Sequence, residues 1–382
     1  MEALERAGQV VAEWDERISA ALPPDLDVFD AHTHLGTDID GMIGRPEELL
    51  GGMDRYGISR ANMFCLDEPD RHPSFRAGND RTLEFAARSE GRLIPFVRLD
   101  LGEGPIEEAE RCLDLGARGI KLHPRAQKFL LNDERLAPVF ALAAERGVPI
   151  LIHAGRGLPP IAAGLEHLVD SHPGAQLILA HAGIADLANL ANRFSGKRGV
   201  FFDTSVWSAI DLLGLLRLVP PEQVVYASDY PYGSWPGSLL MAMRVARVSG
   251  FDETQLRAMF AGNAARIAAG DEPLEPSRPV GPHVLEQPLA QARIHQYLSM
   301  AMPLLFIRQP DAFGALGLAL NATEEPNGSH GDELDRIREL LEAARDLWRT
   351  LPEQEDDDER RLVARTAVRL IQIADTVAVT SG

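Results

Sequence analysis

The stretch that decides the fold is residues 26–34, LDVFDAHTH, an apolar run that ends in two histidines. A short run of this kind is typical of a buried β-strand. Side chains two positions apart on a strand point to the same face, so His32 and His34 can offer two imidazole nitrogens to one ion. Taken alone, the pair favours two ordinary core or surface histidines, because a motif this short carries little information.

Seven further runs of the same kind follow, and helical patterns separate them. Many runs are apolar on both faces, as buried parallel strands are, and several helical patterns end in glycine, as helices do. Eight repeats of strand and helix predict an α/β fold, a (β/α)8 TIM barrel. A doubly wound open sheet is the alternative, but it needs fewer strands, and no glycine-rich nucleotide motif follows any run. The seven runs are residues 60–66, 92–99, 117–124, 148–155, 175–183, 199–205 and 223–231.

Composition and patterning divide the chain into four predicted segments. They are an N-terminal amphipathic helix in residues 1–26, the barrel in residues 27–270, a proline-rich linker in residues 271–282 and an all-α module in residues 283–382. The histidines of the module, His283, His295 and His330, show no ligand spacing. Its apolar stretch 294–306 is too hydrophobic for a lone exposed helix, so it must pack on the barrel, on its neighbours or on another subunit. We expect a homodimer.

The charge and the cysteines exclude several classes of function. The 382 residues carry a formal net charge of −19, which argues against nucleic acid or an anionic membrane as partner, since phosphate binding needs clustered Lys and Arg. Cys65 and Cys112 give no disulfide framework. No apolar stretch is typical of a signal peptide or a membrane span. We therefore expect a cytoplasmic protein that acts on a small molecule.

Three more ionisable residues follow apolar runs directly, each where a predicted strand ends. His153 follows VPILI, His181 follows AQLILA, and Asp229 follows VVYAS. A buried ionisable group is costly unless it is paired or binds a metal. Three nitrogens and one carboxylate oxygen, with one position open for water, suit a catalytic Zn2+ ion, although Mn2+, Fe2+ or Co2+ accept the same donors.

The motifs DAHTHLG, GIKLHP, LIHAG, LAHAG and ASDYP, in this order, resemble those of the amidohydrolase superfamily. More narrowly, they resemble the amidohydrolase-related family that includes aminocarboxymuconate semialdehyde decarboxylase. The resemblance implies one divalent metal ion held by His32, His34, His153 and Asp229. It also implies that His181 lies beside the metal-bound water as an acid, a base or an orienting group. The helical module is not covered.

The resulting expectation is a metal-dependent hydrolase. Metal-activated water would cleave a C–O or C–N bond of a lactone, ester or amide, with Asp229 and His181 as catalytic residues. The alternative is a metal-dependent non-oxidative decarboxylase on the same scaffold, because the fold alone does not determine the reaction. An alternative of another class is a non-catalytic barrel whose helical module serves assembly.

Further residues are candidates for substrate binding. Lys121 and His123 lie two apart on the fourth predicted strand. In dinuclear members of the superfamily a carbamylated lysine on this strand bridges two ions, but we expect an uncarbamylated Lys121 near the substrate or under the metal. Arginines at a barrel mouth can clamp a carboxylate through two bonds. The remaining candidates are Arg98, Arg125, Arg156 and Trp207, with Asp203 as part of a substrate wall.

Overall fold

The computed structural model describes residues 2–281, 286–306, 312–325, 331–351 and 356–381. Within them lie nine strands: β1 (Val28–Thr37), β2 (Ile43–Gly44), β3 (Ile58–Cys65), β4 (Leu93–Arg98), β5 (Gly119–Leu122), β6 (Pro149–Ile152), β7 (Gln176–Leu179), β8 (Val200–Asp203) and β9 (Val224–Val225). They form one sheet in the order β2-β1-β3-β4-β5-β6-β7-β8-β9. The short β2 pairs antiparallel with β1, and all other neighbours pair in parallel.

Backbone hydrogen bonds close this sheet into a barrel between β1 and the chain that follows β9. Asp229 N donates to His32 O at 2.9 Å, and His34 N donates to Tyr230 O at 2.7 Å. The eight parallel strands lie where the eight sequence runs predict them. The predicted α/β barrel is therefore confirmed, and β2 is an addition that the sequence patterns did not indicate.

The described residues also contain fifteen α-helices, eight of which alternate with the parallel strands on the outside of the barrel. They are α1 (Glu2–Ala21), α2 (Pro46–Tyr56), α3 (Arg76–Ala87), α4 (Pro105–Asp114), α5 (Leu136–Arg146), α6 (Ala162–Ser171), α7 (Leu187–Phe194), α8 (Ala209–Leu218), α9 (Trp235–Val248), α10 (Glu253–Arg257), α11 (Asn263–Ala269), α12 (Leu289–Phe306), α13 (Ala312–Ala322), α14 (Gly331–Arg349) and α15 (Asp357–Val379). Helices α2 and α5 end at Gly57 and Gly147, which adopt left-handed backbone with φ of 67° and 62°. Glycine pays no steric cost there, so it ends these helices as the sequence predicts.

An irregularity in β1 decides which of its side chains enter the barrel. Asp30 pairs with Ala61 but Thr33 pairs with Met63, so β1 carries one extra residue between these positions. Such a bulge reverses the alternation of side chains between the two faces. Ala31 lies in the apolar cluster inside the barrel, and His32, the next residue, also points inward because of the bulge.

The C-terminal helices pack against the side of the barrel and against the N-terminal helix. Helix α15 contacts α8 and α9, and α1 contacts α9, α14 and α15. Within the apolar stretch, Ile294, Leu298 and Ala301 are buried, whereas Met300 is 55% exposed. This stretch thus packs on neighbours in its own chain, through α13 and α15. The homodimer and the four segment boundaries stay predictions.

Two sequence interpretations touch residues that the structure does not describe. His283 and His330 lie outside the described residues, as does Pro282, the last residue of the predicted linker. Residues 271–280 have no regular secondary structure. Among the described helices none has both the length and the hydrophobicity needed to cross a bilayer.

Candidate metal centre

Three ionisable side chains meet where the barrel closes, at the carboxyl ends of its strands. His32 Nε2 lies 3.1 Å from His34 Nε2, and each nitrogen lies 3.2 Å from Asp229 Oδ1. All three residues are buried. Their donor atoms all lie within 4.8 Å of one another, so this group can hold a metal ion.

The donor chemistry of this cluster favours a cation. His32 Nδ1 lies 2.7 Å from Asp203 Oδ2, and because a carboxylate only accepts hydrogen bonds, Nδ1 carries the proton. Nε2 of the neutral ring then has a lone pair, yet it faces Asp229 Oδ1, a second acceptor. In a tetrahedral zinc site, ligands 2.0–2.1 Å from the ion lie about 3.3 Å apart. The spacing here is close to that value, so the residues fit a divalent metal.

Burial keeps the cluster histidines neutral, as metal ligands must be. Burial lowers the pKa of His32 well below its usual range, and the charge of Lys121 adds to the effect. Burial likewise lowers the pKa of His34, although its hydrogen bond with Asp229 opposes the shift. Both rings therefore present lone pairs at neutral pH.

Asp203 organises the cluster from the end of β8. Its Oδ2 accepts from His32 Nδ1, and its Oδ1 accepts from His181 N at 2.8 Å and from Ser205 Oγ at 2.6 Å. A carboxylate that holds the far nitrogen of a ligand histidine fixes the tautomer and the orientation of the ring. The sequence interpretation of Asp203 as part of a substrate wall missed this contact. Its signal was the same as for the other site residues: a polar side chain that ends an apolar strand.

Asp30, at the start of the DAHTH motif, supports the bulge instead of joining the cluster. It is fully buried and accepts from His32 N at 3.2 Å, Ser228 N at 3.0 Å and Trp235 Nε1 at 2.8 Å. Burial raises the pKa of Asp30 to about 6 against the opposing effect of these hydrogen bonds. The contacts tie β1 to the chain after β9. The cluster of His32, His34 and Asp229 lies between these two segments.

His153 and His181 form a second pair beside the cluster. His181 Nε2 lies 3.0 Å from His153 Nδ1, and the His181 and His32 rings have centroids 5.2 Å apart. His181 Nδ1 donates to Ser205 O at 2.8 Å. His153, predicted as a ligand, is not in the group of three whose donor atoms converge. The ring of His181 lies between His153 and His32. The His153 ring is stacked on that of His123, with centroids 3.9 Å apart.

Lys121 points from β5 into the same space. Its Nζ lies 3.2 Å from His32 Nε2 and 4.6 Å from the centroid of the Phe64 ring. Burial lowers the pKa of Lys121 to about 7, although the charges of Asp229 and Asp203 act against this. The residue therefore lies directly beside the cluster.

Two candidate residues have backbone conformations that few side chains adopt. His181 and Asp229 have φ of 56° and 59°, in the left-handed region. Such conformations cost energy and are concentrated at functional sites, where they aim a side chain that regular structure would turn away. Both residues lie shortly after a strand, β7 for His181 and β9 for Asp229, so the chain bends sharply where each side chain enters the mouth.

The other substrate-binding candidates differ in their surroundings. Arg98 is 2% exposed, and its Nε and Nη2 are buried without a hydrogen-bond partner among the described residues. Arg125 is exposed, and Trp207 is 42% exposed. Arg156 is also exposed, and its Nη2 bonds both carboxylate oxygens of Asp211, at 2.7 and 2.9 Å. Of the three arginines, only Arg98 has buried, unpaired donors.

A family model described as amidohydrolase matches residues 29–267, more than half of the chain and the whole of the cluster. The chain therefore belongs to the amidohydrolase family, and the resemblance predicted from its motifs is confirmed. Members of this family are enzymes that usually bind a divalent metal ion. No curated protein sequence matches the chain significantly.

Solved structures of similar fold support the barrel assignment. They include 2,6-dihydroxybenzoate decarboxylase from Rhizobium, with 17% identity, a TM-score of 0.51 and coverage of 64% of this chain and 98% of that one. They also include 5-carboxyvanillate decarboxylase from Sphingomonas paucimobilis, with 16% identity, a TM-score of 0.50 and coverage of 64% and 99%. A TIM-barrel protein from Bordetella bronchiseptica has 15% identity, a TM-score of 0.50 and the same coverage. At these identities the likeness shows the fold alone.

Proposed function

We propose that this chain is a metal-dependent hydrolase that uses activated water to cleave a C–O or C–N bond in a small molecule of the lactone, ester or amide type. The observation that carries the proposal is the convergence of His32 Nε2, His34 Nε2 and Asp229 Oδ1. We propose His153 as the fourth donor, because it ends β6 on the inner face beside His181. Zn2+ is the ion expected for this set.

A divalent ion held there supplies a water ligand whose pKa falls to about 7. Asp229, whose Oδ1 faces both histidines, can accept the proton of the attacking water and pass it to the leaving group. The Ser205 carbonyl holds the Nδ1 proton of His181, so the Nε2 atom of that ring accepts. This Nε2 lies 3.0 Å from His153 Nδ1, and beside that ring it could orient a water through one of the water's hydrogens, becoming a donor only after it takes up a proton.

Decarboxylation is the second candidate, since two of the solved structures that share this fold are named as decarboxylases. A decarboxylase of this type must hold a carboxylated substrate over the metal, for which several converging arginines would be expected. Only Arg98 has buried donors, whereas Arg125 is exposed and Arg156 is paired with Asp211. One such arginine can hold one carboxylate, but it does not make the converging set that decarboxylation over the metal would need, so hydrolysis is the preferred reaction.

The test is to measure metal content and turnover on one preparation. We expect about one equivalent of metal by elemental analysis, and hydrolysis of some members of a panel of lactones, esters and amides. Chelation should abolish turnover and Zn2+ should restore it. Undiminished hydrolysis by metal-free protein would contradict the proposal. Release of CO2 from aromatic acids without hydrolysis would assign the decarboxylase, and a ratio near two would indicate a bridging, carbamylated Lys121.

A further inference from the structure

Arg98 combines full burial with unused hydrogen-bond donors. The residue is 2% exposed, and it forms no ion pair with any described residue. A guanidinium stays charged at any pH that a folded protein tolerates, so it cannot escape the cost of burial by losing a proton. The nearby Asp67 offsets part of the charge, but a site that leaves two buried donors without a hydrogen-bond acceptor is prepared for an anion.

The two unpaired atoms of Arg98 are those that suit a carboxylate. Nε and Nη2 carry N–H bonds that run parallel along one edge of the planar guanidinium. A carboxylate binds this edge through two parallel hydrogen bonds. One carboxylate satisfies both donors at once, whereas water would need two separate molecules to do so.

Neighbouring residues hold Arg98 in place before any ligand binds. Asn79, on α3, accepts from Arg98 N at 2.9 Å and donates to Arg98 O at 2.9 Å. The guanidinium carbon lies 4.6 Å from the centroid of the Phe75 ring. A cation over an aromatic face is stabilised while its edge stays free for a ligand.

The position of Arg98 on the sheet directs its side chain toward the cluster of His32, His34 and Asp229. It ends β4 and pairs in register with Lys121 of β5, whose Nζ lies 3.2 Å from His32 Nε2. Phe96, two residues earlier, lies in the apolar cluster inside the barrel, so Arg98 follows on the same inner face. Adjacent strands lie about 4.8 Å apart, which puts Arg98 one strand beyond the lysine that touches the cluster.

We propose that Arg98 anchors a substrate carboxylate, so that the molecule cleaved at the metal centre carries a carboxylate group apart from the bond that breaks. This inference rests on the proposed function, since it takes the cluster as the place of reaction. A singly charged carboxylate fits better than a phosphate, because one unpaired guanidinium edge matches one planar anion, and Asp67 adds negative charge nearby.

The test compares benzoate with its neutral isostere benzamide, and calorimetry of the metal-loaded protein measures the binding of each. The variant Arg98→Lys keeps the charge but loses the two-bond edge, so benzoate should bind about 10- to 100-fold more weakly. Benzamide binding should change far less. Arg118→Gln, which removes an exposed arginine at the opposite end of β5, is the matched control and should leave both affinities unchanged.

A second variant covers the case in which Arg98→Lys does not fold. Phe75→Leu removes the ring beneath the guanidinium and should weaken benzoate by about 3- to 10-fold. Unchanged benzoate affinity in both variants would overturn the proposal, as would equal losses for benzoate and benzamide. Calorimetry needs no turnover, so an inactive protein that still shows the Arg98 effect would refute the hydrolase and leave the anchor intact.

Discussion

Two histidine–carboxylate pairs of the same length lie in different parts of the molecule. At the barrel mouth, His32 Nδ1 lies 2.7 Å from Asp203 Oδ2, and in the helical region His295 Nδ1, on α12, lies 2.7 Å from Asp375 Oδ1, on α15. Both aspartates are buried. The length of the pair therefore does not distinguish a metal-binding histidine from a structural one.

The second ring nitrogen makes the difference. His32 Nε2 faces another imidazole nitrogen and a carboxylate oxygen, at 3.1 and 3.2 Å. Among the described residues, His295 Nε2 faces only the hydroxyl of Ser299, at 3.4 Å. A ligand histidine needs a fixed tautomer on one side and further donors around the ion on the other. Only the barrel mouth offers both.

The charges around each ring act in opposite directions. Burial and the charge of Lys121 lower the pKa of His32, which keeps its lone pair available. Burial also acts to lower the pKa of His295, but the hydrogen bond and charge of Asp375, with the charge of Asp211, outweigh it and raise the pKa. His32 is thus prepared for a metal and His295 for an ion pair.

Removing a ligand at the barrel mouth should have the largest effect. Losing a residue that only hydrogen-bonds a metal ligand can weaken metal binding by roughly 100-fold. We expect His32→Ala and Asp229→Asn, which remove the ligands themselves, each to weaken it by more than that and to abolish turnover. Chelator competition and elemental analysis measure the first effect. His295→Ala is the matched control and should keep its metal. Full metal content in either ligand variant would show that the cluster is not the metal site.

Removing the carboxylate behind each ring should give the next largest effect. Asp203→Asn should weaken metal binding by about 10- to 100-fold, because His32 loses the acceptor that fixes its tautomer. Asp375→Asn should leave metal affinity unchanged and instead lower the free energy of unfolding by about 3 kcal/mol. Equal metal affinities for Asp203→Asn and the wild type would mean that the two pairs are both structural.

The sequence predicts the barrel well because each strand is a short apolar run and each helix restarts the pattern. It also predicts that His32, His34 and Asp229 converge, since ends of parallel strands meet at one mouth. It does not show the bulge in β1, which depends on the partner register. Nor does it separate Arg98, which ends a strand, from Arg156, which follows one. Only the folded chain shows that Arg156 is already paired with Asp211.

The contact of Asp203 with His32 could not be predicted from the sequence for a related reason. A carboxylate at the end of a strand has the same sequence pattern whether it binds a metal, a histidine or a substrate. Its contacts come from β1, from the turn after β7 and from the residue two positions on. Such partners are set by tertiary packing, which local patterns do not encode.

The smallest expected effect concerns the acid–base behaviour of the helical region. The pKa of His295 is raised in the folded state, and burial also raises the pKa of Asp375 against the opposing effect of His295. Each group therefore binds its proton more tightly when folded. The contribution of His295 to stability is present below the usual histidine pKa of about 6.5 and falls as the pH rises through its folded-state pKa, whereas that of Asp375 is confined to lower pH, because it is lost as the pH rises above the usual aspartate pKa of about 3.9 through the folded-state value.

His295→Gln tests this dependence. The wild type should exceed the variant in free energy of unfolding by about 2 kcal/mol at pH 6, because the charged pair is then formed. The difference should shrink toward pH 9, as His295 loses its proton and only a hydrogen bond from the neutral ring to the Asp375 carboxyl group is left. Urea unfolding at both pH values measures it. A difference that does not change with pH would show that His295 is neutral in the folded protein, as His32 is, and the contrast between the two pairs would then rest on the second ring nitrogen alone.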